Sequence, residues 1–153
     1  MYYILITVIV TVINLKFERG IPLAALKYSR QRESIKSYLA ETKEHPTADM
    51  VYMHVREEYP NISLGTVYRN LNLLTDIGEA IKITIPDGGD RFDGNVQPHN
   101  HFFCTSCRRV LDLDLDMKNI EAINEMAAKN FDGIIESSTT TFYGRCKDCI
   151  IKS

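Results

Sequence analysis

The sequence has no surplus of basic charge. Its 153 residues carry a formal net charge of −2, so the chain as a whole exerts no general pull on nucleic acid. Any such binding would have to rest on local charge and geometry. It also has no apolar run of the roughly 20 residues that a bilayer-spanning helix takes. The uncharged stretch at 1–15, rich in Ile, Val and Thr, is too short. It lacks the positive n-region and small-residue cleavage site of a secretory signal. We read it as an upstream mis-start of translation, with an extra strand or a peripheral anchor as alternatives. Internal repeats and low-complexity tracts are missing too, so the chain is not a repeat array. Cysteine is absent before residue 104. What remains is 44% hydrophobic and 25% charged, an ordinary globular balance that suits one domain or two small ones. Halves of about 60–70 residues would be short of core and would need a metal or a partner chain.

Residues 28–40 have a helical pattern, with Ile35 and Leu39 one turn apart. Residues 41–46 break it. Thr47 can cap a second helix on which Ala48, Val51, Tyr52, Val55 and Tyr59 form an apolar stripe, and Pro60 ends it. Ser63 can cap a third, with Leu64, Val67, Leu71 and Leu74 on one face and Gly78 after it. A β-rich run at 80–85, the turn signal at 86–89 and a return strand through Arg91 and Phe92 complete a hairpin. Three helices and a hairpin predict a winged helix. Beyond a linker at 94–98 the rhythm changes. Residues 101–104 predict a strand, and 110–115 alternate between leucine and aspartate. Asp116 caps a helix to about 130, and 139–143 form a last strand. The expected fold class is α+β, an N-terminal winged-helix domain followed by a small α/β dimerisation domain. The expected divisions are 1–22, a leader; 23–93, the winged helix; 94–98, a hinge; and 99–153, dimerisation and metal binding.

The four cysteines form two CxxC pairs, Cys104/Cys107 and Cys146/Cys149, separated by 38 residues. Each adjoins a predicted strand. Two such knuckles make a closed tetrahedral site with no open position, the arrangement of structural zinc. Disulfides or a redox pair are the alternative. His99 and His101 form an HxH, and on a strand both imidazoles face one side. Cys104 has the opposite parity to His101, which predicts two separate metal sites. Asp93 and Asp112 lie nearby in sequence. Nitrogen and carboxylate donors suit Fe²⁺, Mn²⁺ or Zn²⁺, although the same residues could be merely solvated. His54 is read as a surface residue and His45 as an unremarkable loop residue.

The chain from 28 onward resembles the ferric uptake regulator superfamily, most closely its peroxide-sensing branch. The resemblance is carried by SRQRESI at 29–35, HPTAD at 45–49, SLGTVYRNLNLL at 63–74 and DRFDG at 90–94. PHNHFFCTSC at 98–107, VLDLD at 110–114 and CKDC at 146–149 complete it. It implies that Cys104, Cys107, Cys146 and Cys149 hold structural Zn²⁺. It also implies that His45, Asp93, His99, His101 and Asp112 form a regulatory Fe²⁺ or Mn²⁺ site. Iron sensors typically carry Glu where this chain has Asp112, and a histidine-rich HHDH where it has QPHNH; both differences favour peroxide sensing. The leader departs from the family pattern.

The resemblance implies a cytoplasmic, homodimeric repressor, not an enzyme, whose metal biases the angle between domains. The metal-loaded dimer would bind a palindromic operator on double-stranded DNA. Fe²⁺-driven oxidation of the ligands His45 and His99 would release it. The third helix is expected in the major groove, with Ser63, Thr66, Tyr68, Arg69 and Asn70 as contacts and Arg91 reaching the backbone from the wing. An iron- or zinc-responsive repressor is the alternative, and a metallohydrolase or a zinc-stapled interaction module is less favoured.

Overall fold

The computed structural model describes residues 27–85, 89–136 and 138–151. The leader and most of the expected wing turn lie outside them. The described chain forms two compact units.

The first unit holds 27–42, 46–85 and 89–96. Its helices are α1 (Arg30–Glu41), α2 (Ala48–Glu58) and α3 (Leu64–Asp76). Each begins where a hydroxyl can satisfy the first orphan amides. Ser29 accepts from Arg32 N–H at 3.4 Å, Thr47 from Met50 at 3.3 Å and Ser63 from Thr66 at 3.1 Å. After α3 the chain turns at Gly78, whose φ of 76° is costly for any side chain. Strands β1 (Ile81–Ile85) and β2 (Gly89–Asp93) pair antiparallel, with Ile81 opposite Asp93 and Ile85 opposite Gly89. Ile35 and Leu39, Val51 and Val55, Val67, Leu71 and Leu74, and Phe92 project into one buried core. Each such side chain contributes roughly 1.5–3 kcal/mol through burial. Three helices and a two-stranded wing make this unit a winged helix.

The second unit holds 43–45 and the described residues from 97 onward. Its sheet has the order β4-β3-β5, from β3 (Asn100–Cys104), β4 (Val110–Leu113) and β5 (Thr141–Gly144). β3 runs antiparallel to β4, with His101 opposite Asp112, and parallel to β5, with Phe102 opposite Phe142. Helix α4 (Met117–Lys129) starts at the expected cap, Asp116, which accepts from Lys118 N–H at 3.0 Å. A short α5 (Lys147–Ile151) carries the end of the last CxxC. Five residues are too few to show helical periodicity, so the sequence gives no sign of it. This unit leaves Ile123, Met126, Phe131, Ile134, Phe142, Ile150 and Ile151 exposed.

Candidate metal centres

The four cysteines converge in the second unit. Cys104 ends β3. A tight turn with Arg108 at φ 62°, closed by its N–H to the Cys104 carbonyl at 2.8 Å, places Cys107 beside it. A second turn, with Cys149 N–H donating to the Cys146 carbonyl at 3.0 Å, presents the other pair. All four sulfurs lie within 4.8 Å of one another, and Cys107 and Cys146 are 3.7 Å apart. That separation is far beyond a disulfide bond, and all four cysteines are free thiols. It matches the edge of about 3.8 Å that a tetrahedron with zinc–sulfur arms of about 2.3 Å has.

The electrostatics fit the same ion. N–H groups of Cys107 and then Cys146 donate to the Cys104 sulfur and lower its pKa to about 6. The Arg109 guanidinium lowers Cys107. The Cys149 thiol donates to Cys146 and is pushed up to about 12. Some sulfurs are drawn toward thiolate while the last is held as a thiol. A divalent cation among them would let all four ionise.

A second group lies on the other face of β3. The strand runs through both His101 and Cys104, so their opposite parity separates the two clusters. His101 faces Asp112 across the β3–β4 ladder. His99, two residues earlier, shares its side. His45 comes from the 43–45 segment and has a left-handed backbone, φ 47°. That conformation is uncommon before proline and costs of order 1–3 kcal/mol unless the surroundings enforce it. Its ring is buried.

The three rings aim their Nε2 atoms at one oxygen, Asp112 Oδ1, at 2.9 Å from His45, 3.4 Å from His99 and 3.9 Å from His101. His45 Nδ1 lies 3.1 Å from the Lys43 carbonyl and His99 Nδ1 lies 2.7 Å from that of Gln97. A carbonyl only accepts, so each of these two Nδ1 atoms carries a proton, which leaves Nε2 as the atom that would ligate a cation at the centre. Three ring nitrogens converging on one carboxylate oxygen form a donor set that a single cation would complete. Three imidazoles and a carboxylate, with no sulfur, suit Fe²⁺, Mn²⁺ or Zn²⁺.

The remaining expected residues are placed as follows. Asp93, in the first unit, is buried at the end of β2, where its Oδ1 accepts from Asn95 N–H at 2.8 Å. His54 is exposed and stacks on Tyr38 at 3.9 Å between ring centres. On α3, Ser63 Oγ lies 2.9 Å from Thr66 Oγ1, Arg69 donates to that same hydroxyl at 3.0 Å, and Asn70 donates back to the Thr66 carbonyl at 3.0 Å. Tyr68 and Arg69 are exposed. Arg91 lies on β2. It is half-buried and donates to Met50 Sδ at 3.8 Å, turned to the body of its unit. The sequence reading missed Arg109, which has no motif beyond standing two residues after a CxxC.

A winged helix joined to a unit with one closed thiolate centre and one histidine–carboxylate centre defines a metal-responsive DNA-binding protein. Residues 24–143 match the model of the ferric uptake regulator family, and the chain belongs to that family. The peroxide-responsive repressor PerR of Staphylococcus aureus is 34% identical over 126 residues, covering 82% of this chain and 84% of that one. Among solved structures, the Campylobacter jejuni peroxide stress regulator has a TM-score of 0.68 at 31% identity, covering 78% of this chain and 88% of that one. The Helicobacter pylori ferric uptake regulator Fur, described with three functional metal-binding sites, has 0.73 at 25% identity, covering 90% and 91%. The family's members are metal-responsive transcription regulators, typically dimeric, that bind DNA. Among the described residues no helix is long and apolar enough to cross a membrane.

Proposed function

We propose that this protein is a cytoplasmic, peroxide-responsive repressor whose histidine centre is both the metal switch and the target of the oxidant. The observation that carries the reading is the convergence of three Nε2 atoms on Asp112 Oδ1, with two of the rings locked from behind by backbone carbonyls. His45, His99, His101 and Asp112 would hold Fe²⁺ or Mn²⁺, with Asp93 as a fifth ligand. Cys104, Cys107, Cys146 and Cys149 would hold Zn²⁺. Asp112 in place of glutamate, and the peroxide-responsive relatives, support peroxide over metal supply as the signal.

When bound, Fe²⁺ would promote O–O cleavage of peroxide beside the ligands, with the two electrons of the net reaction coming from the imidazole that is oxidised. His45 and His99 then each stand where the carbon between the two ring nitrogens can take up one oxygen. The peroxide's second oxygen leaves as water. An oxidised ring no longer offers the same Nε2 donor, so the site loses its ligands. His45 matters most for the output. It is covalently tied to Pro46, whose carbonyl accepts from Phe92 N–H at 3.0 Å in the winged helix. The segment also joins α1 to α2, so a ligand lost at His45 is felt by the DNA-binding unit through the chain itself.

On DNA, helix α3 enters the major groove of a palindromic operator. Tyr68 and Arg69 reach bases or phosphates, while Ser63, Thr66 and Asn70 shape the N-terminal turn that presents them. The apolar surface of the second unit, including Ile123, Met126 and Phe142, is covered by a second copy of the chain.

The test loads the zinc protein with Fe²⁺ or Mn²⁺, adds a low dose of H₂O₂, and reads peptide masses together with operator binding. A gain of about 16 Da on His45 or His99 with Fe²⁺ only, in step with DNA release, supports the proposal. Unmodified histidines with metal-dependent DNA binding intact would instead make it a metal-supply sensor. The Fur neighbour at 25% identity is the observation that favours that second reading.

A further inference from the structure

The cysteine centre has a neighbour that the zinc-ligand assignment does not use. Arg109 Nε donates to Cys107 Sγ at 3.3 Å, and its Nη2 donates to Cys146 Sγ at 3.6 Å. One guanidinium thus bridges both CxxC pairs, touching one sulfur from each. Asp148, from the x-x of the second pair, accepts from the same Nη2 at 2.5 Å and fixes the fork. The backbone holds the base of this arm as well, since the Arg109 carbonyl accepts from Cys104 N–H at 2.9 Å.

Four thiolates around one Zn²⁺ leave a net charge of about −2 on the centre. Cys107 and Arg109 are both exposed while Cys104 and Cys146 are buried, so solutes reach the centre from the side on which Arg109 lies. N–H donors aimed at a thiolate withdraw electron density from it and lower its nucleophilicity. We propose that Arg109, anchored by Asp148, is a positioning residue of the zinc centre. It couples the two CxxC knuckles and protects the sulfurs at Cys107 and Cys146 from oxidation and zinc loss. The inference does not depend on which signal the histidine centre reads.

The step it slows is defined. Two thiolates give two electrons to H₂O₂, an S–S bond forms as the O–O bond breaks, two protons are taken up, two waters leave and Zn²⁺ is released. The experiment follows zinc release to a chromogenic chelator after a fixed dose of H₂O₂, in the full zinc-loaded protein. Arg109→Ala should release zinc about tenfold faster, Arg109→Lys should recover part of the difference, and Asp148→Asn should be a few-fold faster than wild type. A second readout replaces zinc by Co²⁺ and records the sulfur-to-cobalt charge-transfer band. That band should move to lower energy in Arg109→Ala, because the thiolates lose their donors. Release at the wild-type rate overturns the proposal. So does faster release with an unmoved band, since Arg109 would then act through packing alone. Should Arg109→Ala fail to fold, Arg109→Lys and Asp148→Asn carry the same two readouts, and wild-type behaviour in both would overturn it.

Discussion

Gly94→Ala is the most sharply determined substitution in the first unit. A Cβ placed on Gly94 would sit 2.6 Å from both the carbonyl carbon and the oxygen of Leu39, and 2.7 Å from Ala40 N. Ordinary contact begins at 3.4 Å, so the overlap is about 0.8 Å. The obstructing atoms are backbone in the last turn of α1, and no side-chain rotation relieves them. Either α1 or the end of β2 must move. Leu39, buried in the core, resists the first movement, and Phe92, two residues before Gly94, resists the second. Overpacking typically costs 1–3 kcal/mol, and a clash against backbone on both sides puts this one at about 3 kcal/mol, roughly a 150-fold change in the folding equilibrium. Asp93 is the adjoining residue, so the proposed fifth ligand would be displaced as well. Amide exchange at Val67 and Leu71 in the metal-free protein reads the opening of this core directly. Protection within about 0.5 kcal/mol of wild type would refute the reasoning, because it would mean that α1 and β2 do not meet as described.

Other outcomes follow from the same geometry. Asp112→Asn replaces the carboxylate that all three histidines face with a neutral amide. It should weaken regulatory metal binding by 10–100-fold or more by titration while zinc content stays unchanged. Ser63→Ala removes the α3 cap and the partner of Thr66, costing about 1 kcal/mol in thermal unfolding and weakening DNA binding. Arg69→Ala should cost about 1–3 kcal/mol of operator affinity and, if Arg69 reads a base, relax preference at one position. Zinc retention should depend on pH in one direction. In the metal-free centre the Cys104 thiolate, stabilised down to about 6, is present above that pH and is lost as pH falls through it, so the fall of zinc affinity with falling pH should steepen below about pH 6 in chelator competition.

The first unit was the more legible half, because each of its elements carries a local signal. Thr47 and Ser63 announce their helices by capping chemistry, and the stripes of Val51/Val55 and Val67/Leu71/Leu74 are the faces that meet in the core. The thiolate centre was legible for a similar reason, since a CxxC is itself a local turn. Strand parity was enough to separate His101 from Cys104. The end of the chain was read less well. The β4 ladder stops at Leu113 although the leucine–aspartate alternation continues to Leu115. Helix α5 was not foreseen because one turn and a half has no period to detect.

His45 shows where residue-by-residue reading runs out. In sequence it is a polar loop residue before a proline, 54 positions from His99, and only the family resemblance singled it out. Its proposed role depends on three facts that no local pattern encodes. Its backbone adopts φ 47°, a carbonyl two residues back holds its Nδ1, and its Nε2 reaches a carboxylate on β4. The strained backbone is costly by itself, so it persists because the packing around a buried ring over-determines it. Strain held at a ligand has a consequence for the proposed switch. When the ring no longer binds, less opposes the relaxation of residue 45 toward an ordinary extended conformation, and that relaxation is delivered directly to the peptide entering α2. In the proposed switch, the residue least visible in the sequence is therefore the one that carries the signal.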